Sequence, residues 1–284
     1  MLAAILALGS ATLYGVADFL GGLAARRATT AAVVLVSQAS GMLALAVMLP
    51  ILPDTAPTTA DLIWGAVAGV AIGAGLALLY RGLAVGSMAV VAPTTAVCAV
   101  VLPLTAAVLL GERPGPGTLV GIALAILSIV LVSRSRATPA GRGATATGLP
   151  AGLGLALLAG VGIGVFFFAL ARAASTAGLW PLLAARGVAV VLFGVAALVG
   201  RRSLRMAAPV AVMVIAGGVI DMLANALYLL ATHHGPLSVV VTLSSLYPTS
   251  TVLLALAVLG ERLSARQGVG IACALVAVLL IVAR

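Results

Sequence analysis

The chain has 284 residues, 63% of them hydrophobic and 7% charged, with fifteen Arg, no Lys, six acidic residues and a formal net charge of +9. A soluble domain carries about 25% charged residues, so a water-solvated core is excluded and most of this chain must be solvated by lipid. The basic excess does not signal nucleic acid, because the Arg residues flank apolar runs, form no stripe and have little aromatic interleaving.

A membrane-spanning helix needs about twenty mostly apolar residues. Ten such segments can be placed, at about 2–25, 31–52, 62–84, 88–110, 117–133, 148–171, 178–199, 208–231, 236–258 and 265–283. The first lacks a basic leader and is long enough to span, so it is read as a helix of the fold rather than a signal peptide. It carries Tyr14 and Asp18 four residues apart, on one helical face. The second carries Gln38 and is ended by Pro50, Pro53 and Pro57. The third holds Gly65, Gly69 and Gly73, a spacing that lets helix backbones approach closely in lipid; Gly82 with Gly86 and Gly160 with Gly164 repeat it. Pro93 and Pro103 interrupt the fourth, and Gly115-Pro116-Gly117 precedes the fifth.

Residues 134–147, with Pro139, Gly141 and Gly143, form the one real linker. The seventh segment contains Arg186. The eighth carries Asp221, Asn225 and Tyr228 at i, i+4 and i+7, a polar face on an otherwise apolar helix. The ninth offers Thr242, Ser245, Tyr247 and Thr249, with Pro248 breaking it. Cys98 and Cys273 lie in separate apolar runs as small hydrophobes. His233-His234 has no further His or nearby Cys, so neither a metal nor a cofactor is expected.

The chain repeats itself. Leu110-Gly111-Glu112-Arg113 returns as Leu259-Gly260-Glu261-Arg262, and aligning 86–125 with 235–274 at an offset of 149 gives 14 identities in 40 positions. Apolar bias alone would give about four. The units are 1–133 and 148–284. Five crossings per unit is odd, so the second unit must be inverted relative to the first. The charges agree. Loop 1–2 carries Arg26 and Arg27 where loop 6–7 has only Arg172 at its edge; loop 2–3 carries Asp54 and Asp61 where loop 7–8 carries Arg201, Arg202 and Arg205. With Arg134, Arg136 and Arg142 on the same side as Arg26, that side is cytoplasmic and both termini lie outside. The expected fold is an all-α integral membrane protein of ten transmembrane helices in two inverted five-helix repeats.

The duplicated unit, ending in a Gly-Glu-Arg turn and followed by Gly121-Ile122 or Gly270-Ile271, resembles the EamA-like branch of the drug/metabolite transporter superfamily across essentially the whole chain. The resemblance implies a central substrate cavity, alternating access and, as a preference, export, but no particular substrate. The family often carries Arg in the second helix of a repeat. Arg186-Gly187 fits this, whereas the first unit has Ser37-Gln38.

Glu112, Arg113, Glu261 and Arg262 are read as structural turn residues, because a carboxylate there satisfies exposed N–H groups and complements a helix dipole. Charges inside spans cost at least ~2.5–3.5 kcal/mol and normally face a cavity or a partner. The candidate cavity residues are therefore Tyr14, Asp18, Gln38, Arg186, Asp221, Asn225, Tyr228, Thr242, Ser245 and Tyr247, with interhelical packing as the rival role. Arg186 and Asp221 are natural partners that shape the site, and Asp18, without an evident partner, is the candidate proton carrier. The expected function is secondary transport of a small organic metabolite or drug across the plasma membrane. The partners are that substrate, the bilayer and protons, with no nucleic acid; the oligomeric state is open. No Walker lysine is available for ATP hydrolysis and no nucleophile–base pair is visible. A membrane-embedded enzyme or a channel is the alternative.

Overall fold

A computed structural model describes residues 2–49, 56–109, 116–133, 150–201, 203–234, 243–244, 246–260 and 265–282. Its helices are α1 Leu2–Ala25, α2 Thr30–Met48, α3 Thr59–Val85, α4 Met88–Leu109, α5 Pro116–Ser133, α6 Leu153–Arg172, α7 Trp180–Val199, α8 Ala208–His234, α9 Tyr247–Leu259 and α10 Ala265–Val282, and no β-strand occurs among the described residues. In lipid a helix satisfies every backbone polar group within its own segment, so a chain this apolar has little other choice. Six of these helices, α1, α2, α3, α6, α7 and α8, are long and apolar enough to cross a membrane.

The helix ends follow local chemistry. Thr58 and Asp61 form a capping box at the start of α3, each side chain accepting the other's backbone N–H. Thr29 caps α2 by accepting from the Ala32 N–H. Gly260, at a left-handed φ of 63°, ends α9 where a side chain would be strained. Large apolar side chains such as Leu43, Val47, Val191, Leu198 and Val212 stand exposed on the outside of the bundle, facing the lipid that solvates them.

The helices pack in a pattern that recurs. α1 packs on α8 and α3 on α6; α2 packs on α8 and α3 on α7; α1 packs on α9 and α4 on α6; α5 packs on α10 and α2 on α7. Glycines set the closest crossings. Gly65, Gly69 and Gly73 face Pro181, Ala185 and Phe193 of α7, so that a Cβ at Gly65 or Gly69 would collide with α7 backbone. Gly218 of α8 meets the Ser37 carbonyl of α2 in the same way.

At one end of the bundle Arg26 donates to the carbonyl oxygens of Leu83 (3.2 Å) and Gly86 (3.4 Å), and the Thr29 hydroxyl donates to the Ser203 carbonyl (3.4 Å). Gly86 also lies against the Ala151 carbonyl. These contacts gather the connections following α1, α3 and α7 and the start of α6, and with them Arg26, Arg27, Arg81, Arg201 and Arg205. At the other end the Asp61 carboxylate accepts from the Ala174 N–H at 2.7 Å, and the Arg172 guanidinium lies 5.7 Å from the centre of the Trp64 ring.

One expectation changes. α4 is one helix from Met88 to Leu109, running through Pro93 and Pro103 without interruption. The ninth segment is interrupted beside Pro248 as expected: residues 243–244 are helical, Leu246 lies in a turn, and α9 starts at Tyr247 with Pro248 in its first turn, where no intrahelical N–H is required. Residues 235–242 and the Leu110–Arg113 and Glu261–Arg262 stretches lie outside the described residues.

Candidate functional site

Arg186 lies on α7 and is 4% exposed, so its guanidinium needs an anion and hydrogen-bond acceptors inside the bundle. It finds both. One terminal nitrogen, Nη2, is ion-paired to Asp221 Oδ2 of α8, and Nη1 donates to Gln38 Oε1 of α2 at 2.5 Å. The glycines make the meeting possible. Gly218 lets α8 close onto α2 at Ser37, where the Ser40 hydroxyl also donates to the Ser37 carbonyl at 2.9 Å. Gly41 leaves room for the guanidinium: a Cβ there would stand 2.7 Å from Arg186 Nη1. Asn225, one turn beyond Asp221, donates from Nδ2 to the Asp221 carbonyl at 2.8 Å and approaches its carboxylate at 3.5 Å. The polar face of α8 is thus tied to α7 and α2.

Asp18 is 9% exposed, and among the described residues it has neither a hydrogen bond nor an ion pair. The Asp221 charge reaches it, so the two carboxylates share one interior region. Three tyrosines lie within electrostatic reach of Asp18: Tyr14 on its own helix, Tyr80 on α3 and Tyr247 on α9. Gly21 receives the Tyr80 ring directly against α1. Gly15 admits the start of α9, with the Thr251 hydroxyl donating to the Gly15 carbonyl at 3.1 Å. Tyr14 and Tyr247 consequently meet edge to face, with ring centroids 6.4 Å apart and planes at 67°. The Tyr247 hydroxyl is buried and unpartnered.

The sequence-predicted residues therefore divide. Gln38, Arg186, Asp221 and Asn225 form one bonded cluster, and Asp18, Tyr14 and Tyr247 form a second group beside it. Tyr228 lies further along, packed against the apolar cluster of Ala3, Ala7 and Ala231, within electrostatic reach of Tyr14. Thr242, Ser245, Glu112, Arg113, Glu261 and Arg262 lie outside the described residues. Sequence reasoning missed Tyr80, whose available signal was its being one of four Tyr in the chain, and Gly41, whose role depends on a neighbour 145 positions away.

Two open grooves on the outer face do not compete with this site. One lies between α3 and α6, lined by Val67, Val70, Ala74 and Val165, and the other lies between α2 and α8, lined by Leu43, Val47, Ile215 and Leu223. Both are almost wholly apolar seams open to lipid, without the polar groups that fix a ligand's orientation. Among the described residues no three His, Cys, Asp or Glu side chains gather as metal ligands. His234 Nδ1 is engaged with the Leu230 carbonyl at 2.8 Å.

A lipid-solvated helical bundle with charged and aromatic side chains collected in its interior defines the class: a multi-pass membrane protein with an internal polar site. The model of the EamA-like transporter family matches residues 1–134 and 150–283, and the chain belongs to that family. Its members are transporters, and their setting is a lipid membrane with a small-molecule substrate. No curated protein sequence matches significantly. A solved structure described only as "Crystal structure of protein" is similar in fold, with a TM-score of 0.60 at 16% identity over 98% of this chain and 95% of its own.

Proposed function

We propose that this protein is a secondary transporter that moves a small organic metabolite or drug across the plasma membrane by alternating access, in the direction of export. The observation that carries the reading is the buried Arg186–Asp221–Gln38 cluster. It joins helices of both halves of the chain in the interior, where a substrate and a conformational change would both act on it. Asp18, beside it and unpaired, is the group available to take up a proton during the cycle.

The architecture we infer for this is ten membrane crossings in two inverted repeats, 1–133 and 148–284. Support comes from the helix pairings, which exchange as they would if each helix of the first half were replaced by its counterpart in the second. α1 on α8 corresponds to α6 on α3, and α3 on α7 to α8 on α2. The equivalent positions Cys98 and Tyr247 also lie within electrostatic reach of one another. The Arg-rich end is assigned to the cytoplasm and both termini to the outside.

Reconstitution into liposomes tests the function. A transporter gives saturable flux with counterflow of unlabelled against labelled substrate. Non-saturating flux would point to a channel, and product formation without flux to an enzyme. In the same system an imposed pH gradient should drive accumulation in the wild type and not in Asp18→Asn; gradient-driven accumulation that survives in this variant rules out Asp18 as the proton carrier.

A further inference from the structure

The Arg-rich end of the bundle is organised around one contact. The Thr29 hydroxyl donates to the Ser203 carbonyl at 3.4 Å, joining the α1–α2 connection to the α7–α8 connection, and the Arg205 N–H donates to the Ser203 hydroxyl at 3.2 Å. Ala28 and Met206, beside that contact, both pack onto the same apolar core, which fixes the two segments against each other. Arg27, Arg201 and Arg205 each stand two residues from Thr29 or Ser203, and all three are exposed. Arg81, also exposed, comes to the same level. Gly65, Gly69 and Gly73 of α3 meet Pro181, Ala185 and Phe193 of α7 in the same order, so the two helices run parallel. Arg81 and Arg201 each lie eight residues beyond the Gly73–Phe193 contact. Arg26 is not counted with them, because its guanidinium is held by the Leu83 and Gly86 carbonyls. Among the described residues no acidic side chain answers these charges: Asp61 is at the other end, and Asp18 and Asp221 are inside the bundle.

Two further features say what the patch meets. Arg201 has a left-handed φ of 45°, alone among the described non-glycine residues, while the adjacent Gly200, which could adopt that conformation freely, has a φ of −76°. A guanidinium thus stands where backbone sterics favour glycine. Leu198 and Val199, in the turn before it, are 79% and 80% exposed, and Leu204 beyond it is exposed as well. Arg side chains set among large lipid-facing ones mark the boundary between hydrocarbon and headgroups.

We propose that this end binds an anionic phospholipid, its phosphate held by Arg27, Arg201 and Arg205, with Arg81 adding to the field and Leu198 and Val199 lying along its acyl chains. A guanidinium donates two parallel hydrogen bonds to a phosphate, which an exposed Arg cluster can use without burying the charge. A water-soluble phosphate would gain nothing from the exposed Leu and Val, so the lipid is the occupant. Bound there, it bridges the two halves of the chain across the Thr29–Ser203 contact. The inference needs only the lipid setting of the bundle and is independent of the transport reading and of which leaflet this end faces.

Native mass spectrometry of the full-length protein in detergent is the test. The protein is titrated with phosphatidylglycerol, with phosphatidylcholine of the same acyl chains, and with glycerol phosphate as the soluble headgroup. Phosphatidylglycerol should bind saturably, about tenfold or more tighter than phosphatidylcholine, and glycerol phosphate at equal concentration should not displace it. Each Arg lost from such a surface should weaken binding about fivefold, so Arg201→Gln with Arg205→Gln should weaken it about 25-fold. Arg172→Gln, at the other end, should leave it unchanged. The single variants carry the measurement if the double variant does not fold. Arg201→Gly separates lipid binding from a structural role, because it removes the guanidinium and the left-handed strain together. Lipid binding should fall about fivefold while the unfolding midpoint in lipid-free detergent holds or rises. Equal binding of the two lipids, displacement by glycerol phosphate, or phosphatidylglycerol binding unchanged in the folded Arg201 and Arg205 variants overturns the proposal. A lowered midpoint with full lipid binding in Arg201→Gly does so too.

Discussion

Gly69 on α3 and Gly218 on α8 stand 149 positions apart and make the same crossing in the two halves of the bundle, Gly69 against the backbone of Ala185 on α7 and Gly218 against that of Ser37 on α2. Their partners are themselves 148 positions apart, one residue short of the repeat offset. In each case an added Cβ would strike a carbonyl oxygen, which cannot move aside as a side-chain tip can.

Gly69→Ala and Gly218→Ala should therefore each destabilise the protein by about 1–3 kcal/mol, the usual cost of overpacking. Gly154→Ala, where a Cβ meets nothing within 4 Å, should be close to neutral. Thermal unfolding in detergent measures all three. Equal midpoints for Gly218→Ala and Gly154→Ala would contradict the close crossing.

Arg186 and Asp221 should behave as a unit. Removing Arg186 alone strands a buried carboxylate and is expected to cost about 3–5 kcal/mol, whereas the double change Arg186→Ala with Asp221→Ala leaves no orphan charge and should be less damaging than Arg186→Ala alone. Yield of monodisperse protein and the unfolding midpoint are the measurements. Additive losses in the double variant would mean that the two side chains are not coupled.

Asp61 joins two connections through one carboxylate, accepting from the Thr58 N–H and hydroxyl at 2.9 and 2.7 Å and from the Ala174 N–H at 2.7 Å. Asp61→Ala should cost about 0.5–2 kcal/mol as a lost cap and more if the Ala174 N–H stays unpaired. Asp61→Asn, which keeps an acceptor oxygen, should recover part of it. Hydrogen exchange at residues 172–178 checks the cross-connection; unchanged exchange in Asp61→Ala would limit the residue to capping α3.

The topology has its own test. A reporter fused after Arg284 should be active only outside the cytoplasm, as the short-loop Arg bias requires. Cysteines at Glu112 and Glu261, in a background lacking Cys98 and Cys273, should differ in labelling by an impermeant thiol reagent in sealed cells. Equal labelling of both from outside would sink the inverted arrangement.

Much of this protein was written in its sequence, because lipid is a demanding solvent. A chain 63% hydrophobic must bond its own backbone, so long apolar runs become helices and their charged edges become ends. The repeat offset and the Gly65–Gly69–Gly73 spacing followed from identity and periodicity alone, and that glycine face does meet α7. The partnership of Arg186 with Asp221 was also legible, since a buried guanidinium needs an anion and few were available. What tertiary structure decided is what depends on distance between helices far apart in sequence. It set Tyr80 against Gly21, brought Gln38 rather than another acceptor to Arg186, and placed the start of α9 at Gly15 so that Tyr247 faces Tyr14. Periodicity gives the face a residue occupies on its own helix, but which neighbour that face meets is fixed by where two backbones can approach most closely.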